Sequence, residues 1–464
     1  MRRILEDIRA VVGRIIFWGL SVQIILGLLW MCSSFCNELI LGPGFAESFH
    51  YLRASEELLC DEYTGILYPF LLWFVRGVTG FFGIAYGKVI FTLQLAAALA
   101  AGYCLVESLG VRGILRKIWG SLALLTFPMA MLCHMSILPN SLAYSAFLLL
   151  LSCVIKAVKG RGYVKFDKLL IIHGFWALSA LLMPEYLFLG AVPVIALFLY
   201  LGKKFWGIAG RKILYHFLLL TLSAGMLVCV SDLTQKEGAY GRVHASAEAA
   251  WFLRTSWTSF APYYHMWPEE IKAGISEDEF SLTEKNPENM AVLFQPKVEE
   301  ILGVEAAKQW FGEFGMLSFQ NNYPNIIREM VWDAAGYVFP TVVFQANLEG
   351  RGYSSMSLRN YEAMRQSAPE LTKYYMDYGI WWLPVGVILA GVMQLLCLGS
   401  YIGKKGKREK FPVFGAVVCM LSAGVMVAWY SMQGAGLWDY KDALFASSLW
   451  VIWMVCMAER ARAI

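Results

Sequence analysis

A cluster of residues just beyond the first apolar stretch has the types and spacing of a proton-transfer site. In the run Gly44 to Ala54 (GFAESFHYLRA), helical spacing sets Glu47, His50, Tyr51 and Ala54 on one face. A carboxyl group held beneath an apolar helix loses hydration, its pKa rises, and it can take a proton from a reacting hydroxyl. Glu47 is therefore the candidate general base. Asp61, Glu62 and Glu185 (in MPEY, 183–186) are further acids that could line a substrate cavity with His50 and Tyr51. The cations that accompany these acids are Arg53 and Arg76, then Arg242 (in YGRVHA, 240–245) and Arg254 (in FLRTSW, 252–257), and Lys441 (in WDYKDA, 438–443).

Other polar residues read as structural. His173 and His216 fall inside apolar blocks, where a neutral histidine bonded to a neighbouring helix is expected. Glu107 ends its block and reads as a cap or a snorkelling side chain. Asp333 reads as a fold residue, with an acceptor contact as the alternative. No metal and no cofactor are assigned: none of the ten cysteines forms a CxxC pair or a Cys/His cluster of ligand spacing. There is no GxxxxGK[ST] loop for nucleotide phosphates.

The elements that must position these groups are apolar. The 464 residues are 58% hydrophobic and only 16% charged, where soluble domains are about one quarter charged. A soluble enzyme, a disordered chain and a nucleic-acid-binding domain are excluded on that ground. Apolar blocks run near 11–31, 88–107, 119–135, 141–156, 169–184, 186–202, 213–231, 380–402, 411–431 and 443–458. Each is close to the length that a hydrocarbon layer of about 30 Å demands. The expected fold class is an all-α polytopic membrane protein of about ten transmembrane helices.

Charge orients this layout. The segments 1–14, 108–118, 155–168, 203–212, 403–410 and 459–464 together hold 23 Lys and Arg against 5 Asp and Glu. The segment 232–378 holds 12 against 20. Lys and Arg are retained on the cytoplasmic side, so both termini are expected inside and 232–378 outside. The expected organisation is an N-terminal transmembrane module, 1–231, of about seven spans; a mainly helical extracytoplasmic domain, 232–378; and a C-terminal module, 379–464, of about three spans. The first block reads as an uncleaved anchor. The block 63–84 would invert every later loop if it crossed, so it reads as an interfacial helix within the outer loop 32–87. The outer segment 232–378 contains no cysteine, which suits a bacterial plasma membrane.

Three stretches carry a family resemblance: ESFHYLRA at 47–54, YPFLLWFV at 68–75, and FTLQL at 91–95. Together they resemble the start of the GT-C superfamily of polytopic glycosyltransferases, which includes protein-mannosyltransferase-like (glycosyltransferase family 39-like) and lipid-A-sugar-transferase-like branches. The likeness covers roughly the first 150 residues, through SILPNSLAY at 136–144. The family pattern is D-x-x-x-Y-L-x-x-A followed by a Tyr-Pro apolar segment; Glu47 stands where Asp is usual. The resemblance implies a GT-C-type bundle that takes a polyprenyl-phosphate-linked sugar as donor and an envelope glycan, lipid or protein as acceptor, amid membrane lipids and with no nucleic acid. Glu47 would be its essential acidic residue, acting as general base. Arg242, Arg254, Lys441 and Arg53 would face the donor phosphate, where negative charge builds up.

Two other classes compete. An envelope polysaccharide polymerase or ligase also has about ten spans and one large outer loop, and would use Arg242 and His244 while leaving Glu47 idle. A transporter or flippase would need polar residues near the midplane of several spans and a repeated span pattern, and the sequence shows few of the former and no repeat.

Overall fold

The computed structural model describes residues 2–36, 46–56, 67–159, 164–183, 185–204, 208–233, 246–256, 264–276, 294–338, 365–402, 413–433 and 444–462. Among these residues all regular structure is helical. The helices are α1 (Arg2–Cys36), α2 (Ala46–Glu56), α3 (Leu67–Phe82), α4 (Tyr86–Ser108), α5 (Ile114–Leu125), α6 (Pro128–His134), α7 (Asn140–Lys159), α8 (Phe166–Leu182), α9 (Tyr186–Lys204) and α10 (Ile208–Leu233). There follow α11 (Ala247–Ser256), α12 (Glu269–Gly274), α13 (Gln295–Leu302), α14 (Val304–Val338), α15 (Pro369–Ile402), α16 (Val413–Gln433) and α17 (Leu444–Arg462).

Five of them are long and apolar enough to cross a membrane: Ile4–Cys36, Tyr86–Ser108, Asn140–Lys159, Pro369–Cys397 and Leu444–Ala461. A sixth crossing results if α5 and α6 are one span, bent by 79°. The bend falls inside the block expected to be a single helix, 119–135, and proline explains it. Pro128 has no N–H to donate and pushes the residue before it out of the α region; Phe127 is extended (φ −63°, ψ 130°) and Pro128 opens α6. The freed carbonyls are not left bare. The Tyr375 hydroxyl donates to the Thr126 carbonyl at 2.6 Å. At the other end of α6, the Gln94 amide donates to the carbonyls of His134 (2.7 Å) and Ser136 (2.9 Å).

The bundle is built around α7, whose apolar window is 72% buried, whereas that of α15 is only 22% buried and lies at the periphery. α15 runs antiparallel to α1: Trp30 Nε1 donates to Thr372 Oγ1 (3.2 Å), Tyr378 donates to the Gly19 carbonyl (2.9 Å), and Arg9 reaches the Leu396 carbonyl. Glycine lets the backbones approach. A Cβ on Gly19 would stand 1.9 Å from the Trp382 ring, and one on Gly13 would stand 2.0 Å from Ala461 of α17.

A second, aromatic core lies within 246–338. Phe252 of α11 is surrounded by Trp267, Phe294, Trp310, Phe311 and Phe314, with ring centroids 5.1–6.0 Å from its own. Gly303, whose φ of +80° ends α13, separates it from α14. α14 starts in the aromatic core with Ala307, Phe311 and Phe314. It bends at Asn322 (φ −135°, ψ 20°) just before Pro324, and ends in the main core with Tyr337.

α3 occupies the segment expected to lie at an interface. Tyr68, Leu72, Val75 and Thr79 form its buried stripe. Its other side is apolar too, with Phe70, Trp73, Phe74, Phe81 and Phe82 exposed.

Candidate functional site

The bundle has two chemically distinct ends. At one, Glu107 pairs with Lys117 and with Lys156 (2.5 Å), Arg116 pairs with Glu459 (2.8 Å), and Lys159 reaches the Ser108 carbonyl. The first turns of α1 and the last turns of α17 lie there as well, with Gly13 against Ala461. At the other end lie the α5–α6 bend, the Trp30–Thr372 contact, and the last turn of α14, whose Val338 carbonyl accepts from Trp450 Nε1 (2.6 Å). α2 and α3 belong to this second end, because Tyr68 donates to Gln94 Oε1 (2.9 Å) while Gln94 binds the end of α6.

α2 carries Glu47 and His50, whose side chains lie outside the described residues. Tyr51 and Ala54 are 5% and 1% exposed, so the side of α2 on which they stand is packed. Tyr51 meets Tyr68 edge to face at 5.5 Å. Arg53 is half-buried on the last turn of α2. Arg76 of α3 fastens that helix: it pairs with Glu56 (3.0 Å), donates to Ser55 Oγ (3.2 Å) and lies 5.5 Å from the Tyr86 ring centre.

From Tyr68 a buried polar chain continues inward. Gln94 links Tyr68 to α6, and His134 Nδ1 lies 2.8 Å from Ser141 Oγ at the start of α7. Gln94 and Ser141 are fully buried and His134 is 1% exposed. His134 is not among the residues expected from sequence. Its signal was a glutamine, a histidine and several serines inside otherwise apolar runs, where lone polar groups must bond one another.

Glu185 sits in the turn between α8 and α9, half-buried, with Oε2 shut away from solvent and without a hydrogen-bond partner among the described residues. Asp61, Glu62, Arg242, His244 and Lys441 lie outside the described residues.

Arg254 is fully buried on α11 and forms an ion pair at 2.5 Å with Asp333 of α14, itself 3% exposed. A guanidinium with no exposed surface offers no face to a phosphate in this conformation. Asp333 takes the structural part expected of it. Glu329, one turn before Asp333, has its pKa raised because burial disfavours its charge; the Arg254 and Arg328 charges oppose that rise. His173 bonds across to α10 through Nε2 and Thr221 Oγ1 (2.9 Å), as a neutral histidine inside a bundle would. His216 lies edge to face against Phe166 of α8 at 5.3 Å.

Compared with models of protein families, with curated proteins and with solved structures, the chain shows no match.

Proposed function

We propose that this chain is an integral membrane glycosyltransferase of the GT-C type, with about ten spans and a site at the extracytoplasmic face of a bacterial plasma membrane. The observation that carries this reading is the placement of α2. The helix bearing Glu47 is fastened to α3 at the bundle end where α14 terminates. That is away from the end that gathers the first turns of α1, the last turns of α17 and the basic cluster of Lys117, Lys156 and Lys159. Reading α8, α9, α10 and α16 as spans, together with the five long apolar helices and the bent pair, gives the ten crossings and divides the chain into 1–231, 232–378 and 379–464.

In this reading an acceptor hydroxyl oxygen attacks the anomeric carbon of a polyprenyl-phosphate sugar. The bond from that carbon to the phosphate oxygen breaks, and its electron pair stays on the phosphate. The hydroxyl proton passes to the Glu47 carboxylate, a step worth roughly 10²–10⁴-fold. Arg53, Arg242 and Lys441 stabilise the departing phosphate, and Arg254 joins them only if its pairing with Asp333 loosens. His50, Tyr51, Asp61, Glu62 and Glu185 line the cavity.

Purified enzyme given polyprenyl-phosphate sugars and envelope acceptors tests this. Glu47→Gln keeps the size of the side chain and removes the base, so transfer falls by at least about a hundredfold. Transfer that survives Glu47→Gln and dies with Arg242→Ala would move the chain to the polymerase or ligase class. Transfer from a soluble nucleotide-sugar alone would end the GT-C reading.

A further inference from the structure

α1 and α15 leave a groove of about 450 Å³ between them, lined by Val11, Arg14, Ile15, Trp18, Val22 and, from α15, Tyr378 and Trp382. Its floor is Gly19. The Trp382 ring lies where a side chain on Gly19 would stand, and the Tyr378 hydroxyl bonds the Gly19 carbonyl at 2.9 Å. Tyr378 and Trp382 stack with their planes 15° apart, giving one wall a continuous aromatic face. Val11, Ile15, Trp18 and Val22 recur at three- and four-residue spacing as an apolar stripe, and all four are exposed.

The groove has one charged end. Arg14 is exposed, and its Nε makes a bond of 3.3 Å to the Ala10 carbonyl of its own helix. Among the described residues it has no acidic partner. From Val11 to Val22 the stripe rises about 16 Å at 1.5 Å per residue. That is close to half of a hydrocarbon layer about 30 Å thick, so the groove has the depth of one leaflet with a guanidinium at its rim.

We infer that this groove binds one anionic phospholipid of the leaflet at the bundle end that gathers the termini. An acyl chain lies along the α1 stripe against Trp382, and the phosphate headgroup meets Arg14. Arginine suits the headgroup because its fork binds two phosphate oxygens, and the apolar floor excludes a free phosphate ion. The inference is independent of the catalytic reading, since it concerns the opposite end of the bundle from α2.

The full chain, reconstituted in nanodiscs of equal phosphatidylglycerol and phosphatidylcholine and then extracted, is assayed by mass spectrometry for retained lipid. The wild type should retain phosphatidylglycerol about fivefold over phosphatidylcholine, the scale of one basic side chain at an anionic surface. Arg14→Gln should abolish the preference. Val11→Trp, at an exposed position, should fill the groove and reduce retained lipid while leaving Arg14 intact. Equal retention of both lipids by the wild type overturns the proposal. So does a preference untouched by Val11→Trp, which would mean that Arg14 attracts headgroups without a groove. A dimer that Val11→Trp dissociates, with no lipid preference, would assign the groove to a second copy of the chain and overturn it equally.

Discussion

The hydroxyl of Tyr375 donates to the carbonyl of Thr126 across 249 positions of sequence, at the point where α5 breaks from α6. A backbone carbonyl released by a helix break inside an apolar bundle has no water to turn to, and an unpaired buried acceptor costs about 1–3 kcal/mol. Tyr375→Phe removes the donor and keeps the ring, so thermal unfolding in detergent should show a loss of about that size. A change within measurement error would mean that the Thr126 carbonyl finds another donor.

Gln94 serves three partners at once, accepting from Tyr68 and donating to the His134 and Ser136 carbonyls. Gln94→Leu preserves bulk and strips all three. It should destabilise more than Tyr375→Phe, and the same unfolding measurement ranks the two.

The Arg254–Asp333 pair is buried on both sides. Removing one partner from a buried pair leaves an uncompensated charge and costs about 3–5 kcal/mol. Arg254→Met and Asp333→Leu should each destabilise on that scale, and the double variant should recover much of the loss. Additive losses in a double-mutant cycle would show that the pair is not coupled.

Glu329 gives a pH signature. Its folded pKa is raised above the ordinary 4.5, chiefly by burial, so the folded state holds that proton more tightly than the unfolded chain does. The resulting stabilisation is complete below pH 4.5 and is lost as pH rises through the raised value. Glu329→Gln, which cannot ionise, should therefore be more stable relative to wild type at neutral pH than at about pH 4. A stability difference independent of pH across that interval would refute the assignment.

Arg76 separates stability from positioning. Its pair with Glu56 is partly exposed, with side chains 34% and 58% accessible, and such pairs are worth about 0–1 kcal/mol. Arg76→Gln should barely move the melting temperature. If the chain has the glycosyltransferase activity proposed above, the substitution should lower transfer clearly, because α2 carries Glu47 and loses a fastening to α3. Unchanged turnover would show that Tyr51 and Ala54 hold α2 unaided.

The apolar helices were legible in the sequence because a bilayer-length run of apolar residues has few alternatives, and each block from 88–107 onward corresponds to a helix or a bent pair. The breaks were harder to see. Hydropathy is blind to the turn at Phe127, and Pro128 was the only local sign of it; Gly303 played the same part between α13 and α14. At the site, the packing of Tyr51 and Ala54 on one side of α2 follows from helical period. The Arg254–Asp333 pair joins residues 79 positions apart, and Gln94 meets His134 across 40. Such meetings are decided by how whole helices pack, which spacing along one helix does not encode.

One helix has a foot in each hydrophobic core. Because α14 begins among Phe311 and Phe314 and finishes at Tyr337, with its only non-helical residue at Asn322, the aromatic unit cannot swing over the bundle as a free lid. Any such tilt must be absorbed as flexure near Asn322 and Pro324, so the stiffness of that joint sets how far the two cores can part.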